Sequence, residues 1–120
     1  MKILIVEDSP TMRRIVKNTL KRIGYEDVEE AEDGVEALAA LGNADIEFII
    51  TDWNMPKMNG LDFTKRVKAN EKYKDVPILM VTTRSVEQDV LEAFEAGAAS
   101  YIVKPFTPDV LKEKIDSILN

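Results

Sequence analysis

Ile3-Leu4-Ile5-Val6-Glu7-Asp8 runs four apolar residues directly into two acids. The run is too short and too β-branched for a helix. It lacks polar alternation, so it reads as a strand buried on both faces. The layout recurs twice. Phe48-Ile49-Ile50-Thr51 ends in Asp52, and Tyr101-Ile102-Val103 ends in Lys104-Pro105. Neighbouring parallel strands present their carboxyl ends along one edge of a sheet. Glu7, Asp8, Asp52 and Lys104 would then converge in one crevice.

The sequence between these runs supplies the crossovers. Ser9-Pro10-Thr11 offers a cap and an early proline, and Met12, Ile15, Val16, Leu20 and Ile23 recur at helical spacing up to Gly24. Val28 to Ala31 is a weaker strand. Asp33-Gly34 starts a helix carrying Val35, Leu38 and Leu41, with Gly42 as its stop. The strand before Asp52 is expected from Ile46 to Thr51, followed by a loop from Trp53 to Gly60 and a helix from Leu61 to Ala69. Pro77 to Val81 reads as a strand. Val86, Val90, Leu91 and Phe94 mark a fourth helix, stopped by Gly97. Ser100 to Val103 is the last strand. Thr107-Pro108-Asp109 starts a last helix with Leu111, Ile115, Ile118 and Leu119 as its stripe. Strand and helix thus alternate five times with short connections. This argues for one α/β domain over residues 1–120 with a parallel sheet covered on both faces. The acids after the first and third runs can meet only if those strands are adjacent, as in the flavodoxin-like order 2-1-3-4-5.

Composition narrows the chemistry. The chain has 120 residues, 45% hydrophobic and 32% charged, with neither cysteine nor histidine. Disulfides, thiolate metal sites, imidazole bases and ordinary zinc sites are excluded. The net charge of −6 argues against direct duplex binding. No apolar run approaches a membrane span and the start has no signal-peptide layout, so the cytoplasm is the expected compartment. A monomer is the expected form.

Three acids in one crevice repel. Two like charges about 4 Å apart cost roughly 4 kcal/mol at an effective dielectric of 20. Lys104 offsets part of this, and a hard divalent cation such as Mg²⁺ would offset more, with carboxylates, a carbonyl and water as ligands. Thr82-Thr83, expected just past the fourth strand, faces the same edge. The Thr82 hydroxyl suits donation to an anion; Thr83 reads equally as a turn or cap residue. Tyr101 alone reads as a half-buried strand aromatic. For Pro105 the general preference is a trans peptide.

Val6-Glu7-Asp8, Thr51-Asp52-Trp53-Asn54-Met55-Pro56, Met80-Val81-Thr82-Thr83 and Lys104-Pro105-Phe106 together resemble the receiver domain of two-component response regulators, most nearly its stand-alone chemotaxis members. The resemblance implies that Asp52 is the phosphoacceptor and takes its phosphoryl group from a phosphohistidine on a sensor kinase. It implies Mg²⁺ held by Asp8 and Asp52 and by the backbone carbonyl of Asn54, with Glu7 on a metal-bound water. Lys104 and Thr82 would contact phosphoryl oxygens, Lys104-Pro105 would be cis, and Tyr101 would turn inward as Thr82 moves. It implies a signalling protein rather than an enzyme. Its partners would be a chemotaxis-type histidine kinase, the flagellar motor switch and a phosphatase. A phosphorelay shuttle or a receiver with a non-flagellar partner is the alternative. Lys114 on the last helix matches the family's partner surface.

The chain departs from the family pattern at Glu7, where Asp is commoner. It also departs at the fourth helix, whose Glu87, Asp89, Glu92 and Glu95 make it unusually acidic. Arg84, two residues past Thr82, is expected to alter hydrolysis of the phosphorylated form. The seven acids between Glu26 and Glu36 read as solvated surface. Rival classes fit poorly. A flavin carrier needs a Ser/Thr/Gly-rich phosphate loop where Glu7-Asp8-Ser9-Pro10 stands, and a Mg²⁺-dependent phosphatase needs an acid where Asn54 stands. A receiver cut from a DNA-binding regulator would be expected to continue past its fifth helix into a linker, whereas this sequence stops at Asn120.

Overall fold

Five short strands pair in parallel in a computed structural model that describes residues 1–120. In chain order the elements are β1 (Ile3–Val6), α1 (Pro10–Arg22), β2 (Val28–Ala31), α2 (Gly34–Asn43), β3 (Phe48–Thr51), α3 (Gly60–Ala69), β4 (Ile78–Thr82), α4 (Glu87–Ala96), β5 (Ser100–Val103) and α5 (Pro108–Leu119). The sheet order is β2-β1-β3-β4-β5, the flavodoxin-like arrangement expected from the acids.

Strand residues divide between the two faces with period two. Ile3, Ile5, Phe48, Ile50, Leu79, Val81 and Ile102 pack with Val16 and Leu20 of α1 and Leu111 and Ile115 of α5. Leu4, Val6, Ile49 and Ile78 pack with Ala37 and Leu41 of α2 and Phe63 and Val67 of α3. A third cluster, Trp53, Leu61, Met80, Ala93, Ala98 and Tyr101, fills the space under α4. Each fully buried Leu, Ile or Phe contributes about 1.5–3 kcal/mol relative to exposure, so these clusters fix the sheet edge on which the acids sit.

Side chains cap four helices. Ser9 accepts from Met12 N–H, Asp33 from Glu36, Asn59 from Asp62 and Thr107 from Val110. Val86, at the start of α4, provides no side-chain cap. Gly97 closes α4 in the left-handed region at φ 115°.

Several expected boundaries move. Gly42 lies inside α2, which runs on to Asn43. Ile46 precedes β3, because its N–H bonds Ala44 instead of joining the ladder. Thr82 is the last residue of β4 rather than the first after it. Of the residues marking α4, Val86, Leu91 and Phe94 are exposed, while Ala93 carries the buried contact. Ile15, Val35 and Leu119 are likewise exposed. The acidic stretch near β2 is not merely solvated: Glu30 pairs with Arg13 and Lys17 of α1, and Lys2 lies near Asp27 and Glu29.

Candidate functional site

The register puts the acids side by side. Val6 pairs with Thr51 across β1 and β3, so the residues that follow, Glu7 and Asp52, emerge together. The backbone continues past the strand ends. Glu7 N–H donates to Ala31, Asp52 N–H to Val6 and Lys104 N–H to Thr82. Arg13 of α1 holds the turn from beneath, donating to the Glu7 carbonyl at 2.7 Å.

One carboxylate oxygen from each of Glu7, Asp8 and Asp52 lies within 4.8 Å of the others. Lys104 Nζ reaches in from the end of β5, 2.6 Å from Glu7 Oε1 and 3.3 Å from Asp52 Oδ2. Glu7 is buried, with its second oxygen accepting from Ser9 N–H at 3.2 Å. Burial pushes the Glu7 carboxyl above its ordinary value by more than the Lys104 ammonium pulls it down, and the charge of Asp52 pushes it further up. Asp8 is exposed and Asp52 half-buried. Asp52 Oδ1 accepts from Trp53 N–H at 2.7 Å, which fixes the carboxylate plane. Three converging carboxylate oxygens with only one lysine among them are the donor set of a hard, oxygen-liganded cation. The backbone carbonyl of Asn54 accepts no hydrogen bond within the chain, so it is free to ligate.

Thr82 is fully buried at the end of β4. Its Oγ1 accepts from Arg84 N–H at 3.3 Å, leaving the hydroxyl proton for another acceptor. Tyr101 pairs with Met80 across β4 and β5 and is buried, not half-buried as its sequence position suggests. Its hydroxyl donates to the Arg84 carbonyl at 2.8 Å. Burial, then the charge of Asp89, raises the Tyr101 phenol above its ordinary value. The Lys104-Pro105 peptide is cis, as the resemblance implies and against the general preference. Lys114 is half-buried on α5.

Two contributors carry little signal in the sequence. Gly60 starts α3 against the back of Asp52, and its N–H donates to the Trp53 carbonyl. A Cβ there would lie 1.8 Å from the Asp52 carbonyl oxygen, so only glycine fits. The grip of the Arg84 side chain on Asn54 and Trp53 is the other, although Arg84 itself is expected near the site. Its Nε and Nη2 donate to Asn54 Oδ1 at 3.1 and 2.9 Å, and its guanidinium stacks on Trp53 at 4.8 Å.

Comparison with known proteins shows the family. The family model described as response regulator receiver domain matches residues 3–116. The chain belongs to the response regulator receiver family. It is 59% identical to the chemotaxis protein CheY1 of Helicobacter pylori strain J99, covering 99% of this chain and 97% of that protein. It is 58% identical to the chemotaxis protein CheY homolog of Campylobacter jejuni, covering 99% of this chain and 92% of the other. Among solved structures, Vibrio cholerae CheY4 superposes with a TM-score of 0.89 at 43% identity, covering 98% of this chain and 97% of that one. This receiver is thus similar over nearly its whole length to chemotaxis proteins of the CheY type, and no helix in it is long and apolar enough to cross a membrane.

Proposed function

We propose that this receiver accepts a phosphoryl group on Asp52 from the phosphohistidine of a chemotaxis-type sensor kinase, with Mg²⁺, and signals in the cytoplasm by binding the flagellar motor switch. One observation carries the reading. Lys104 Nζ sits between Glu7 and Asp52, in a crevice where three carboxylates converge. The bond formed joins an Asp52 oxygen to phosphorus, and the bond broken joins phosphorus to the donor imidazole nitrogen.

Carboxylate and phosphoryl group are both anionic, so the chain must screen their approach. Asp8, Asp52 and the Asn54 carbonyl would hold Mg²⁺, which when bound neutralises charge on the transferred group. Asp8 is the exposed acid, open to an incoming cation. Glu7 is buried against Lys104, and that contact steers the ammonium toward Asp52. Lys104 need only shift from Asp52 Oδ2 to a phosphoryl oxygen, keeping Glu7 as its anchor. The Thr82 hydroxyl, its proton unspent, donates to another. The new group brings about −1.5 to −2 charges. Tyr101 senses the change through Arg84, whose backbone bonds both Thr82 and Tyr101. The chemotaxis names of the relatives support the motor switch as output, and the half-buried Lys114 lies on the helix that would share that surface.

The test adds Mg²⁺ with acetyl phosphate or beryllofluoride and follows Trp53 emission. Trp53 adjoins Asp52 and donates to it, so occupancy should change its fluorescence. Intact mass should rise by one phosphoryl group with acetyl phosphate. Absence of a Mg²⁺-dependent change, or its persistence in Asp52→Asn, refutes the assignment.

A further inference from the structure

Arg84 is the most heavily engaged side chain at the crevice mouth, and phosphoryl transfer gives it no task. Its guanidinium lies over the two residues that follow Asp52. It stacks on the Trp53 ring and donates twice to Asn54 Oδ1. The remaining arm, Nη1, reaches Asp89 Oδ2 at 3.4 Å in the first turn of α4. The planar fork lets one residue hold the β3–α3 loop and α4 together.

The grip on Asp89 is the weak arm. Both side chains are partly open to solvent, at 39% and 23%, and a long, solvated ion pair is readily exchanged. A phosphoryl dianion offers more charge and better acceptors than a single carboxylate. The start of α4 is also the least secured in the molecule. Side chains cap the other four helices, whereas Val86 offers none. The outer side of α4 carries exposed Val86, Leu91 and Phe94.

We propose that Arg84 is a positioning residue that exchanges anions. With Asp52 bare it ties Asp89, and hence the first turn of α4, to the Asn54 loop. With a phosphoryl group on Asp52 it turns to that group and releases Asp89. The first turn of α4 then loosens and its apolar outer side is redisplayed. This rests on Asp52 being the phosphoacceptor.

The experiment uses the full chain with Mg²⁺ and beryllofluoride. Trp53 fluorescence gives the apparent affinity, and amide hydrogen exchange reads residues 87–90. In the wild type, beryllofluoride should speed exchange there. Asp89→Asn should show the faster exchange before any is added. It should also bind beryllofluoride about two- to five-fold more tightly, because no carboxylate competes for Arg84. Glu87→Gln removes an equal charge from the same turn without touching Arg84, and should keep the wild-type affinity. Arg84→Lys keeps the charge but not the fork, and should lose the beryllofluoride-driven change at 87–90. Equal affinity gains in Asp89→Asn and Glu87→Gln, or unchanged wild-type exchange at 87–90 despite a Trp53 response, overturn the exchange. If the wild type gives no Trp53 response at all, the phosphoacceptor assignment fails first.

Discussion

Replacing Gly60 by alanine tests how rigidly the fold holds Asp52. The added Cβ would sit 1.8 Å from the Asp52 carbonyl oxygen, 2.8 Å from its carbon and 3.0 Å from Trp53 Cα, where ordinary contact begins at 3.4 Å. All three neighbours are backbone atoms, so no rotamer change relieves the clash. Either α3 backs away or the β3 end moves. Overpacking costs about 1–3 kcal/mol. Losing the Gly60 N–H bond to the Trp53 carbonyl adds about 1 kcal/mol. A loss of about 3 kcal/mol is a large share of the 5–15 kcal/mol typical of a domain. It should lower the urea midpoint by about 1–2 M, followed by far-ultraviolet circular dichroism. Beryllofluoride binding should weaken in parallel, since the displaced backbone carries the Asp52 carboxylate. Gly42→Ala is the matched comparison. Its Cβ would meet only the Tyr73 hydroxyl oxygen, at 4.0 Å, and Gly42 lies inside α2. It should stabilise by about 0.5 kcal/mol through helix propensity. A Gly60→Ala protein within 1 kcal/mol of wild type, or no more affected than Gly42→Ala, would refute the packing argument.

Two further predictions follow from the charges. At the observed spacings Asp52 meets more repulsion from Glu7 and Asp8 than attraction from Lys104, a net of about 2 kcal/mol at an effective dielectric of 20 before screening. Asp52→Asn should therefore raise the metal-free melting temperature and abolish most of the rise that Mg²⁺ gives the wild type; a lowered melting temperature contradicts this. Because the folded state raises the Tyr101 phenol above its ordinary 10.0, that group favours folding below pH 10, and its contribution is lost as pH rises through the folded value. Tyr101→Phe should flatten the alkaline decline of stability, and identical slopes in urea titrations above pH 10 would show that the phenol is not its source.

The sequence discloses the sheet because its strands are buried on both faces and each ends at chemistry. Ile3–Val6 and Phe48–Thr51 need no pairing partner to be recognised, and the acids that follow them dictate their adjacency. Helix α4 is different. Only Ala93 lies buried along it, so the large apolar residues that define its period, Leu91 and Phe94, face outward. Periodicity reports which residues share a side of a helix, not which side the fold covers. Gly42 misled for a related reason: a glycine suits a helix end, yet α2 carries it one residue further to Asn43. Gly60, Arg13 and the grip of Arg84 on Asn54 were illegible because they are contacts between distant segments. Arg84 and Asn54 lie thirty residues apart, and nothing local to either signals the other.

Those distant contacts explain how the chain tolerates its own charge crowding. Were the acids held mainly by their ionic partners, metal-free protein would relieve repulsion by letting the loops part. Instead the backbone is secured through its own carbonyl and N–H groups rather than through the carboxylates. Arg13 grips the Glu7 carbonyl, Asp52 N–H is tied to Val6, and Gly60 braces the Asp52 carbonyl from behind. Repulsion therefore remains concentrated on the carboxylates, where a cation can relieve it, rather than dissipating through motion. The same rigidity limits which parts can respond. The ends of β1 and β3 are fixed on several sides, whereas Lys104 meets Glu7 and Asp52 through its side chain alone, and the Thr82 hydroxyl is held only by the Arg84 N–H. A change at Asp52 thus meets side chains free to turn on the β4, β5 and α4 flank, and tied backbone on the β1 flank.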